Sequence, residues 1–184
     1  IKMYGIFVIY EDTMKNQKHI ISYATDVSSF SFFKRNGIKE MMRFSARETT
    51  ELLEEEQKYA LDIEDKVCFA LKKYKGCSFI AFCHNSFDQK NAFALLRIYE
   101  LTLKSFMVHK KIHLTQVSQD LNIKDDKFKE ILIYGNNMFK EKIGEKLSSK
   151  EQMVNDKMKK EDLSIQNLNK KVEENKQIMH KNMM

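Results

Sequence analysis

The 184-residue chain is 42% hydrophobic and 32% charged, with a formal net charge of +6. A packed core is within reach, and an anionic membrane surface or a nucleic acid is the partner that such a charge favours. The basic residues are interleaved with acids, as in Lys140-Glu141-Lys142 and Lys159-Lys160-Glu161-Asp162, so no phosphate-tracking stripe forms and no nucleic acid is expected as a partner.

Met3 to Tyr10 is β-branched and aromatic and predicts a buried strand. No basic n-region or cleavage site precedes it, which excludes a signal peptide, and no run approaches the roughly 18 apolar residues of a membrane span. A polar turn, Glu11 to Lys18, leads to a second strand, His19 to Tyr23, and the two predict a hairpin. Asp26 to Phe33 is rich in small and aromatic residues and shows no helical period. From about Ile38 a helix is marked by Ile38, Met41, Met42, Ser45, Thr49, Leu52 and Leu53, whose i, i+3, i+4, i+7 spacing predicts one core face.

Three strands follow, Lys58 to Ile63, Val67 to Tyr74 and Cys77 to His84, with Gly76 in the last turn. Asp88 to about Lys110 predicts a long amphipathic helix whose apolar positions include Ala92, Phe93, Leu95, Leu96, Tyr99, Leu103 and Phe106. A shorter helix, roughly Asp125 to Phe139, starts at an acidic pair suited to a helix N-terminus. The order β-β-α-β-β-β-α-α predicts an α+β fold, a five-stranded antiparallel sheet flanked by helices in the profilin-like manner. Residues 140–162 are polar and lysine-rich and read as a linker. Beyond it, Ile165, Leu168, Val172, Asn175, Met179 and Asn182 follow the 3-4 stagger of a coiled-coil seam. Under three heptads leave a plain surface helix equally open.

No chemistry-bearing motif accompanies these elements. Cys68, Cys77 and Cys83 have neither CxxC nor zinc spacing, and free buried thiols in a reducing compartment are expected. His109 and His113 are i, i+4, but no Cys or Glu nearby completes a metal site. With no Gly-rich phosphate loop, no nucleophile elbow and only five glycines, neither an enzyme nor a cofactor is expected.

The segment Tyr23-Ala24-Thr25-Asp26-Val27-Ser28-Ser29-Phe30-Ser31-Phe32-Phe33-Lys34-Arg35 closely resembles the DVSSFSFF(Q/K)R stretch of the Ykt-type R-SNAREs, the prenylated longin-domain relatives of synaptobrevin. Met3-Tyr4, Ala92-Phe93-Ala94-Leu95-Leu96 and Lys176-Gln177-Ile178-Met179-His180 also look like that family. The resemblance is strong over residues 1–107, poor over 108–162 and fair over the final twenty. The stretch Asn122 to Lys160 is longer and more basic than the family's linker.

This resemblance implies a longin domain over residues 1–139, a linker over 140–162 and the first part of a SNARE motif over 163–184. The implied function is vesicle fusion on the cytosolic face of Golgi, ER or endosomal/vacuolar membranes. There the SNARE segment would join three Q-type helices in a four-helix bundle, with Ile165, Leu168, Val172, Asn175, Met179 and Asn182 as its layers. In the inhibited state that segment, in cis or from a neighbouring copy, or a lipid or acyl chain, would occupy an apolar groove between the first helix and the third strand. The family also implies an arginine at the seam position seven residues after Asn182 and lipidated cysteines further on, none of which occurs in this sequence. The alternative is a non-SNARE longin scaffold or adaptor subunit, for which the tail helix is incidental.

Ile38, Met41, Met42 and Phe44 are the groove candidates on the first helix. At 100° per residue Phe44 lies roughly 110° from the centre of the core stripe, and the family groove has an aromatic at the matching position. A lone exposed aromatic needs no purpose, however. Tyr59, Leu61 and Ile63 alternate and should share one face of the third strand, where either core packing or a guest chain accounts for them. Phe30, Phe32 and Phe33 are expected to close the core where the chain enters the first helix.

Overall fold

A computed structural model describes residues 2–73 and 76–141. The predicted linker beyond Glu141 and the whole seam from Ile165 to Asn182 lie outside the described residues.

Five strands, β1 (Met3–Asp12), β2 (Gln17–Thr25), β3 (Lys58–Ile63), β4 (Lys66–Lys72) and β5 (Cys77–His84), form one antiparallel sheet in the order β2-β1-β5-β4-β3. Helix α1 (Phe32–Leu52) lies on one face, and α2 (Gln89–His109) and α3 (Asp126–Glu141) on the other. Covering both faces explains why β1, β4 and β5 are nearly continuous apolar runs rather than alternations. Met3, Ile6 and Val8 point to α2 and α3, whereas Tyr4, Phe7 and Ile9 point to α1. The break in alternation at Tyr4 coincides with a register shift between Met3 and Gly5.

On the two-helix face, Tyr99 and Phe128 stack with ring centroids 4.8 Å apart, and the Tyr99 hydroxyl is 2.5 Å from Ser22 Oγ. That bond gives a buried phenol its partner. Asn136 fixes α3 to the start of β1: its Oδ1 accepts from Met3 N at 2.6 Å and its Nδ2 donates to Met3 O at 3.1 Å. Gly135 brings α3 close to α2, because a Cβ there would lie 2.6 Å from Leu95 Cδ1.

The segment between α2 and α3 straps the outer edge of β2. Leu121 N and Asn122 N donate to Ile20 O at 2.9 and 3.1 Å, Ile123 N donates to Ile21 O at 2.9 Å, and Asp120 Oδ1 accepts from Ile20 N at 2.8 Å. Thus the polar stretch between the helices supplies the backbone partners that an edge strand lacks.

Two expectations are corrected. Helix α1 begins at Phe32, six residues before the apolar period becomes visible, because its first turn faces solvent and leaves no core signal. Its core face is Met42, Ala46, Thr49, Thr50 and Leu53, with Ile38 and Ser45 half-buried; Met41 (41% exposed) and Leu52 (60%) lie off it.

Candidate functional site

Helix α1 does not run parallel to the strand beneath it. At its middle Met42 sits over Gly5 of β1, where a Cβ would come within 2.9 Å of the methionine sulfur. Two turns later Thr49 Oγ1 is 4.0 Å from Cys68 Sγ of β4. The helix therefore crosses from β1 over β5 toward β4. Strands are spaced by about 4.8 Å, so β3 is roughly 10 Å from β5, with the small side chains Cys68 and Ala70 of β4 between them on this face.

The outer side of α1 carries apolar side chains. Met41 and Phe44, one turn apart, are 41% and 66% exposed. Ile38 is half-buried against the core of this face. Tyr59, Leu61 and Ile63 do share one face of β3, as their alternation predicts. Tyr59 and Ile63 pack against the same core, and Leu61 is 42% exposed. Met42 leaves this group. At 1% exposure it is a core residue beneath the helix, and at about 200° from Phe44 around the axis it cannot line a groove with it. Ile38, Tyr59 and Ile63 thus pack on the same face of the sheet, whereas α1 rests chiefly on β1, β2 and β5, and Phe44 points away from that face.

The opposite flank of α1 is polar and closed. The Arg43 guanidinium lies 5.2 Å from the Tyr23 ring centroid, donates to its hydroxyl at 3.3 Å and pairs with Glu40 at 2.6 Å. Arg47 Nη2 reaches Asp120 Oδ2 at 2.5 Å and ties α1 to the strap. Burial pushes the Tyr23 hydroxyl up, but hydrogen bonds and charge from Lys124 and Arg43 outweigh it and lower its pKa. Sequence pattern missed these residues because an arginine over a tyrosine carries no periodic signal.

The three cysteines are buried free thiols. Burial pushes the Cys68 thiol up to about 12 against the Thr49 hydrogen bond, and burial also raises Cys83. Cys68 and Cys83 are protonated packing groups at neutral pH, unsuited to nucleophilic chemistry. Among the described residues no group of three His, Cys, Asp or Glu side chains is placed to hold a metal ion, and no helix is long and apolar enough to cross a membrane.

On the two-helix face, the end of α2, the segment 110–115 and the sheet form a cleft of about 800 Å³ whose walls include Tyr10, Phe79, Leu103, Met107 and Ile112. Glu100, also at the wall, is buried, with Lys104 Nζ 3.0 Å from Oε1. Arg97 Nη1 is 3.0 Å from Oε2 but off the hydrogen-bonding line, so Oε2 is left unsatisfied. Of the residues weighed from the sequence, Cys77 and His113 line this cleft, and none of Ile38, Met41, Met42, Phe44, Tyr59, Leu61 and Ile63 does.

A scan of the sequence against models of known protein families finds no match.

Proposed function

We propose that this chain is the regulatory part of an R-SNARE of vesicle fusion, a longin domain whose apolar groups on α1 and β3 hold the SNARE segment or a lipid chain in an inhibited state. The observation that carries the reading is Phe44. It is a large ring 66% exposed on the outer side of α1, one turn from the exposed Met41. Burying such a ring is worth about 1.5–3 kcal/mol, so an apolar occupant is strongly favoured. The sealed Arg43–Tyr23 and Arg47–Asp120 flank directs any guest to the β3 side.

The preferred occupant is the chain's own segment over 163–184, whose seam Ile165, Leu168, Val172, Asn175, Met179 and Asn182 presents an apolar stripe to bury. Release of that segment frees it to join three Q-type helices in a parallel bundle. A neighbouring copy's segment or an acyl chain would engage the same side chains. The resemblance of residues 23–35 to the Ykt-type R-SNAREs supports this assignment over a non-SNARE longin scaffold.

Hydrogen exchange of the full chain tests it. Phe44→Glu places a charge in a desolvated contact and should cost about 2 kcal/mol or more of docking, read as faster exchange across 163–184 while the sheet stays protected. Unchanged protection of 163–184 in the variant removes Phe44 from the mechanism. Absence of protection in the unaltered chain removes the segment as the occupant.

A further inference from the structure

Phe32 and Phe33 do not close the core, as their aromatic block led us to expect. Only Phe30 does so, with its ring centroid 5.0 Å from that of Tyr4. Phe32 is 77% and Phe33 94% exposed, and their rings pack edge-to-face on each other at 5.8 Å. Two adjacent phenylalanines held in water at the tip of a helix are costly unless something covers them.

The tip is a fixed platform. Arg35 Nε donates to Phe30 O at 3.1 Å and its Nη2 to Ser28 O at 3.2 Å. Lys34 N donates to Ser31 O at 2.9 Å. The Asp26 carboxylate accepts from Ser28 N at 3.1 Å and from Ser28 Oγ at 2.6 Å. The rings thus project from a loop already tied to its helix. One turn on, Gly37 has no atom within 4 Å of where a Cβ would stand, so no wall rises beside them.

The unpaired charge next to the rings in sequence is basic. Residues 28–39 contain Lys34, Arg35 and Lys39 and no acid. The nearest acids are each paired with a base: Asp26 with Lys2 at 3.0 Å, Asp65 with Lys66 at 2.8 Å, and Glu40, just past this stretch, with Arg43 at 2.6 Å. The positive end of the α1 dipole adds to this field.

We propose that the start of α1 is a membrane-contact tip, with Phe32 and Phe33 entering the interfacial zone of an anionic bilayer while Lys34 and Lys39 meet its headgroups. Two rings exposed to this extent offer roughly 300 Å² of apolar surface. That falls short of the about 800 Å² that each partner contributes to a specific protein interface, but it suits shallow insertion of a few side chains. Phe44 is not involved, so this inference stands apart from the docking reading.

The test is co-sedimentation of the full chain with phosphatidylcholine vesicles, with and without phosphatidylserine. Wild type should bind the anionic vesicles and barely bind the neutral ones. Phe32→Ser with Phe33→Ser should weaken binding at least tenfold, and Lys34→Ala about fivefold. Because these side chains are outside the core, thermal unfolding should not change. The chain has no tryptophan, so Phe33→Trp is a single reporter whose emission should shift to the blue when vesicles are added. Equal binding to both vesicle types, wild-type binding by the double serine variant, or an unshifted tryptophan on bound protein would each overturn the proposal. So would self-association in the absence of vesicles that the serine changes abolish, since that assigns the rings to a second copy.

Discussion

Replacing Gly135 with alanine sets two effects of opposite sign against each other. In an exposed helix the change stabilises by about 1 kcal/mol, since glycine is the poorer helix former. Here the new methyl would stand 2.6 Å from Leu95 Cδ1, whereas carbon atoms pack best at about 3.5–4.0 Å. Leu95 is fully buried, so α3 must lift from α2 or Leu95 must leave its rotamer. Overpacking of this kind costs about 1–3 kcal/mol, and the net expectation is a loss of about 1 kcal/mol. The sign should reverse once Leu95 is shortened. Leu95→Ala alone costs about 2–5 kcal/mol, but in that background Gly135→Ala should gain about 1 kcal/mol, a coupling of about 2 kcal/mol. Urea unfolding of the four proteins, followed by circular dichroism and linear extrapolation, measures the cycle. A Gly135→Ala protein more stable than wild type, or an equal effect in both backgrounds, would refute the close-approach argument.

Other consequences are simpler to read. The Cys68 thiol, pushed up to about 12 by burial, should not react with a thiol-specific reagent at pH 8 in the folded protein and should react once urea unfolds it. Burial raises the Asp26 carboxyl, but the Ser28 and Lys2 contacts outweigh it and hold it below the usual range. Its folded pKa is therefore depressed, so its contribution is present above about pH 4 and is lost as pH falls through the folded value. Asp26→Asn should flatten the acid limb of a stability–pH curve. Asp120→Ala removes both the acceptor for Ile20 N and the partner of Arg47. It should cost about 1–3 kcal/mol and speed amide exchange at Ile20 more than at Val8.

The order of elements was legible because long strands and α2 bury large apolar side chains at the expected periods. The face of α1 was legible only in part. Ala46 and Thr50 are fully buried yet contribute little to an apolar pattern, while Met41 and Leu52 are apolar yet exposed. Weighting by side-chain size therefore turned the stripe toward Met41, while Met42, read both as core and as groove, is core alone. Tyr59, Leu61 and Ile63 were readable because a period of two leaves only two faces to choose between. The strap at Asp120–Ile123 left no trace in hydropathy, since it acts through backbone groups that every residue carries. The same holds for Asn136, whose two bonds to Met3 depend on a helix and a strand more than a hundred residues apart.

That strap also restricts what the sheet can become in a crowded cell. Open-ended stacking of sheets into a fibril needs two competent edges on every unit, one to receive a neighbour and one to be received. Along the middle of β2 the outward groups of Ile20 and Ile21 are already bonded to residues 120–123. Any strand-to-strand joining at the β3 side would then stop at a pair, because each molecule presents a single edge. Loss of the strap would turn a chain terminator into a repeating unit, and the first sign would be polymer rather than dimer.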